Sequence, residues 1–80
     1  MAQKAFNPAK QLAVLNRMID IGMARQQIKT DLQLAALMGM NRTSLSKRRS
    51  GEAKWTWVEI CRLIRLLDFS AEEVVQVMAA

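Results

Sequence analysis

Apolar residues recur along this chain at helical spacing and never settle into the strict alternation of a strand. Asn7-Pro8 supplies a capping side chain followed by a proline, which needs no amide hydrogen in a first turn. Leu12, Leu15, Ile19 and Met23 then form one helical stripe. Gly22 either ends that helix or gives it a closely packed face, and the pattern leaves both open. Thr30-Asp31-Leu32-Gln33 reads as a capping box in which Thr30 covers an early amide and Gln33 reaches back. The helix it opens runs over about 31–38, with Leu34, Ala35, Leu37 and Met38 apolar, and Gly39 suits the left-handed residue that closes it. Asn41 caps a third helix over about 42–49, stopped by Ser50-Gly51. Thr56 and Glu59 make a second box, with Trp55 and Ile60 placed as a hydrophobic staple. The fourth helix, about 57–67, offers Ile60, Cys61, Leu63, Ile64 and Leu67 to a core. Ser70-Ala71-Glu72-Glu73 is a third box and opens a short helix carrying Val74, Val75, Val77 and Met78. The pattern predicts an all-α fold of five helices in one domain spanning 1–80, with residues 1–6 as a flexible arm.

The third helix breaks the pattern of the others. In Arg-Thr-Ser-Leu-Ser-Lys-Arg-Arg only Leu45 is apolar, so burial alone does not account for it and its polar face calls for a partner. Charge points the same way. The 80 residues carry 12 Lys+Arg against 7 Asp+Glu, and the excess is focused: residues 40–54 hold Arg42, Lys47, Arg48, Arg49 and Lys54 against Glu52 alone. Such a cluster suits an acidic partner.

Composition narrows the chemistry. Histidine and tyrosine are absent and there is one cysteine, which leaves no internal disulfide, too few ligands for a Cys/His zinc site and no ordinary general base at neutral pH. The expectation is a protein that is not an enzyme and takes no cofactor, metal or small-molecule ligand. No apolar run approaches the ~18 residues of a membrane span, and the first residues lack the apolar stretch of a secretory signal. With a lone cysteine this predicts a cytoplasmic location.

The window Thr30-Asp31-Leu32-Gln33-Leu34-Ala35-Ala36-Leu37-Met38-Gly39-Met40-Asn41-Arg42-Thr43-Ser44-Leu45-Ser46-Lys47-Arg48-Arg49-Ser50-Gly51 resembles the helix-turn-helix, here over 31–50, of Cro/CI-type (XRE-like) repressors of phages and bacteria. The resemblance extends through Trp55-Thr56-Trp57-Val58-Glu59-Ile60 and covers about residues 30–69. It rests on the spacing of Ala35, Gly39, Leu45 and Gly51. It implies a compact lambda-repressor-like domain that binds operator DNA as a dimer, with the third helix in the major groove. Position by position, it places Asn41, Arg42, Thr43, Ser46 and Lys47 at base edges, and Lys29, Thr30, Arg49, Ser50, Lys54, Thr56 and Trp57 at phosphates. The chain departs from the family at Asp31, where a glutamine is common and a carboxylate repels phosphate. It departs again at Arg48, whose position is usually apolar; either its stem packs and its head reaches out, or the helix is slightly rotated. The stretch from Gly22 to Ala35 is several residues longer than the family has after a glycine that ends the first helix, which favours a first helix running past Gly22.

Plainer roles compete for several residues. Arg48 or Arg49 can satisfy a carbonyl or Glu52. Trp55 serves as the staple, Cys61 as a buried inert thiol, and Met18, Met23 and Met38 as core filling. Glu72 and Glu73, close to Asp68, suggest a metal less than they suggest capping and helix-dipole complementarity. Leu66, Val77, Met78 and the arm are the candidates for a dimer surface. The alternative from another class is a protein-interaction module, an antitoxin or anti-repressor adaptor, using Leu32, Val74 and Val77.

Overall fold

The computed structural model describes residues 8–79, so Asn7 and the arm lie outside the described residues. It contains five helices in chain order: α1 (Pro8–Arg25), α2 (Asp31–Met38), α3 (Arg42–Ser50), α4 (Trp57–Leu66) and α5 (Ala71–Ala79). Among the described residues there is no strand, and no helix is long and apolar enough to cross a membrane.

Gly22 lies inside α1 and on its packed face. A Cβ built there would stand 2.7 Å from the Leu67 Cβ, so only glycine lets α1 approach the end of α4 this closely. The helix ends three residues later, where Gln27 takes a left-handed conformation (φ 59°) and the Ile28 amide bonds the Met23 carbonyl. Asp68 (φ 53°) closes α4 in the same way, with the Phe69 amide on the Ile64 carbonyl. Aspartate is one of the few side chains that tolerate that conformation.

The expected caps are in place. Thr30, Asn41, Thr56 and Ser70 each accept from the amide three residues on. At Thr56 and Ser70 the box is reciprocal, because Glu59 and Glu73 accept from the capping residues' own amides. The first box differs: Gln33 bonds the amide of Lys29, one residue before the cap, not that of Thr30. Gly39 (φ 73°) closes α2, its amide on the Ala36 carbonyl and that of Met40 on Ala35. The turn from α2 to α3 is therefore three residues long.

One core joins all five helices. Leu15, Met18, Ile19 and Met23 of α1 meet Leu34, Ala35 and Met38 of α2, Leu45 of α3, Leu63 of α4, Leu67, Phe69, and Val77 of α5. Pairwise, α1 lies on α5, while α2 packs against both α3 and α4. Trp55 and Ile60 both pack on the core, as a staple requires. Two expectations change. Val77 is buried and is therefore a core residue, with no surface to offer a dimer or another partner. Cys61 is half-buried instead of fully buried.

Candidate nucleic-acid interface

Leu45 fixes how α3 sits. It is fully buried, and the short polar helix has no other buried residue. Its amide completes the first turn by donating to the Asn41 carbonyl. With Leu45 pinned, Asn41, Arg42, Thr43, Ser46, Lys47 and Ser50 are exposed. The side chains of Arg42 and Lys47 make no hydrogen bond or ion pair among the described residues.

Arg48 and Arg49 behave otherwise. The Arg48 guanidinium donates to Glu59 Oε1 at 2.7 Å and to the Ser44 carbonyl at 3.2 Å, with its side chain 21% exposed. The head turns inward to α4 instead of reaching out, and its bond to a carbonyl is the plainer role the sequence allows it. Partial burial pushes the Glu59 carboxyl upward, but the Thr56 amide and the Arg48 guanidinium outweigh it and hold the group below the usual glutamate range.

Arg49 is drawn still further in. Its guanidinium donates to Asp31 Oδ1 at 2.9 Å, Asp20 Oδ1 at 2.6 Å and Asn16 Oδ1 at 3.2 Å, while Asn16 Nδ2 donates to the Arg49 carbonyl at 2.8 Å. One side chain thereby ties α3 to α1 and α2. Arg49 is among the residues expected at phosphates, but its guanidinium is taken by side chains of α1 and α2, and the structure assigns it to holding α3 in place. The same contact balances the charge of Asp31, the carboxylate expected to repel phosphate. Glu52 is partner to neither arginine among the described residues.

The remaining expected residues surround α3 in sequence and stay accessible. Lys29 and Thr30 are exposed at the entry to α2, and Lys54, Thr56 and Trp57 are exposed between α3 and α4. Trp57 is 68% exposed. The hydroxyls of Thr30 and Thr56 accept from helix amides and keep a proton to donate outward. The Ser50 hydroxyl is more fully engaged, donating to the Lys47 carbonyl and accepting from the Glu52 amide.

An apolar cleft of about 500 Å³ adjoins this end of the molecule, bounded by Pro8, Leu12, Trp55, Trp57, Ile60 and Met78, with Lys54 on its rim. The buried indole N–H of Trp55 has no hydrogen-bond partner among the described residues. Val58, Val75 and Met78 are exposed on α4 and α5, and Leu32 and Leu37 on α2. Leu66 and Val74 are half-buried. At the far end of the fold Glu73 accepts from the Ser70 amide and from Arg25, which also bonds the Leu67 carbonyl. That places Glu73 in a cap and an ion pair. Among the described residues no cluster of three or more acidic or cysteine side chains is arranged to hold a metal.

Asn16 and Asp20 were not singled out by sequence, although both position α3. They stand 33 and 29 residues from Arg49, and only their spacing of four on α1 hints at a shared face.

Comparison of the chain with protein-family models, with curated proteins and with solved structures finds no match.

Proposed function

We propose that the protein is a sequence-specific double-stranded DNA-binding regulator of transcription, of the phage-repressor type, which lays α3 in the major groove and works as a dimer in the cytoplasm. Binding, not catalysis, is its activity. The observation that carries this reading is the outer side of α3. Arg42, Thr43, Ser46 and Lys47 present donors and a methyl group with no acidic residue among them, while the inner side is held by Leu45, Arg48 and Arg49. Arg42 adds weight because its side chain has no partner among the described residues. Unlike α2, α4 and α5, which begin with acidic residues, α3 carries a cation in its first turn, where the helix dipole opposes one.

Lys29, Thr30, Lys54, Thr56 and Trp57 are the proposed phosphate contacts, which set register without reading sequence. A single recognition helix reads only a few base pairs, so useful discrimination calls for a second copy on a two-fold operator. The exposed apolar residues of α4 and α5 supply the surface for it.

Selection from random duplex DNA tests the reading: an enriched palindrome is expected, with half-sites about one helical turn apart. Across a salt series, log affinity should fall with log salt at about −0.9 per phosphate neutralised. Failure to enrich any sequence, together with a flat salt series, overturns it. The cleft beside Trp57 supports a second reading, a protein-interaction module. A monomeric chain that binds a second protein and no duplex would favour that one.

A further inference from the structure

The side chain of Asn41 is set in one chemical orientation before any DNA arrives. It caps α3, with Oδ1 accepting from the Ser44 amide at 2.7 Å. A backbone N–H can be met only by the amide oxygen, so the cap itself decides which end of the carboxamide is which. Among the described residues the Nδ2 group has no partner, in an exposed residue beside Arg42 and Thr43. A free asparagine offers a donor and an acceptor together, the pair that matches the N6 and N7 edge of adenine. A capped one spends one of the two acceptor sites of its oxygen on the helix, and that bond keeps Oδ1 turned to the Ser44 amide.

We infer that Asn41 reads DNA through its Nδ2 donor, selecting a base that presents acceptors, guanine foremost, and rejecting cytosine. This rests on the DNA-binding reading above and names what one residue of that face reads. The chemistry follows from the major-groove edges. Guanine shows two acceptors, O6 and N7, and thymine shows O4. Adenine pairs its N7 acceptor with an N6 amino donor, which an Nδ2 donor meets unfavourably. Cytosine shows only a donor. Turning Oδ1 off the Ser44 amide to face adenine's amino group would free one of the orphan amides that open α3, at a cost typical of a lost cap. A phosphate oxygen is the other acceptor within the same chemistry, and the experiment separates the two.

The test compares the wild-type chain with Asn41→Ser and Asn41→Asp in selection from random duplex DNA, followed by affinity measurements on the selected site and its single-base variants. Serine and aspartate both keep an N-cap acceptor, and thermal unfolding of each variant verifies that the fold survives. In the wild type one position per half-site should be restricted to guanine and exclude cytosine. Asn41→Ser should flatten that position alone, weakening the best site about 5- to 100-fold. Asn41→Asp turns the donor into an acceptor, so the same position should drift toward cytosine, whose amino group it can accept. Three results overturn the inference while leaving the function standing: a position restricted to adenine and lost in both variants, an equal loss on every sequence that marks a phosphate contact, or selected sites unchanged in Asn41→Ser. A wild-type chain that selects no duplex overturns the function itself, and the inference with it.

Discussion

Two pairs of cations within eight residues of α3 have opposite fates. The side chains of Arg42 and Lys47 are exposed and have no partner among the described residues, while Arg48 and Arg49 are engaged by Glu59 and by Asp20, Asp31 and Asn16. The difference comes from Leu45. Residues three and four beyond a buried anchor share its face, so Arg48 and Arg49 flank Leu45 and meet the carboxylates of neighbouring helices. Lys47 points away, and Arg42 stands in the first turn, with no turn before it to lie against. A run of like charge is therefore not a uniform patch. Half of it holds the helix, and half is left to meet a partner.

Removing the anchor is the most disruptive change. Leu45→Ala should lower stability by about 2–5 kcal/mol, seen as a lower midpoint in thermal or denaturant unfolding, and should erase the distinction between the two pairs. Arg42→Ala should leave the fold intact and cost about 1–3 kcal/mol of binding at one base position. An equal loss on all sequences would make Arg42 a phosphate contact instead. Arg49→Ala should cost about 1–2 kcal/mol of stability, limited because Asp20 is 67% and Asp31 46% exposed, and should leave the salt slope of DNA binding unchanged. Lys47→Ala is its counterpart: stability within about 0.5 kcal/mol of wild type, and a salt slope shallower by about one. If both variants alter the slope equally, the contrast between inner and outer cations fails.

Acid should produce the smallest effect. Glu59 and Glu73 are both held below the ordinary glutamate value, Glu59 against partial burial by the Thr56 amide and Arg48, Glu73 by the Ser70 amide and Arg25. A carboxyl depressed on folding stabilises at pH values above its unfolded pKa, about 4.3. That contribution is lost as pH falls through the lower folded value. Unfolding midpoints should hold from neutrality to about pH 5 and decline below it, and Glu59→Gln should decline less steeply because one of the two groups no longer titrates.

Local signals were legible in the sequence and long-range ones were not. Thr30, Asn41, Thr56 and Ser70 could be read as caps because each satisfies an amide three residues away. Gly39 could be read because a tight turn needs its left-handed backbone. Gly22 left two readings open, since its role depends on Leu67, which is remote in sequence. The same distance hid the partners of Arg49. Val77 looked like a surface residue because its short helix carries Val74, Val75 and Met78 as well, and periodicity in so short a helix does not say which valine faces α1. Asn41, Arg42, Thr43, Ser46 and Lys47 could be placed outside because Leu45 leaves the helix only one way to lie.

The two tryptophans give the molecule a pair of internal lamps under different shades. Trp55 is packed on the core with its indole N–H out of reach of water, whereas Trp57, two residues later, is largely open to solvent. Iodide should therefore quench Trp57 first, and the blue-shifted light that survives should report unfolding. With each replaced in turn by phenylalanine, one fluorophore follows the integrity of the fold and the other follows what arrives at the start of α4.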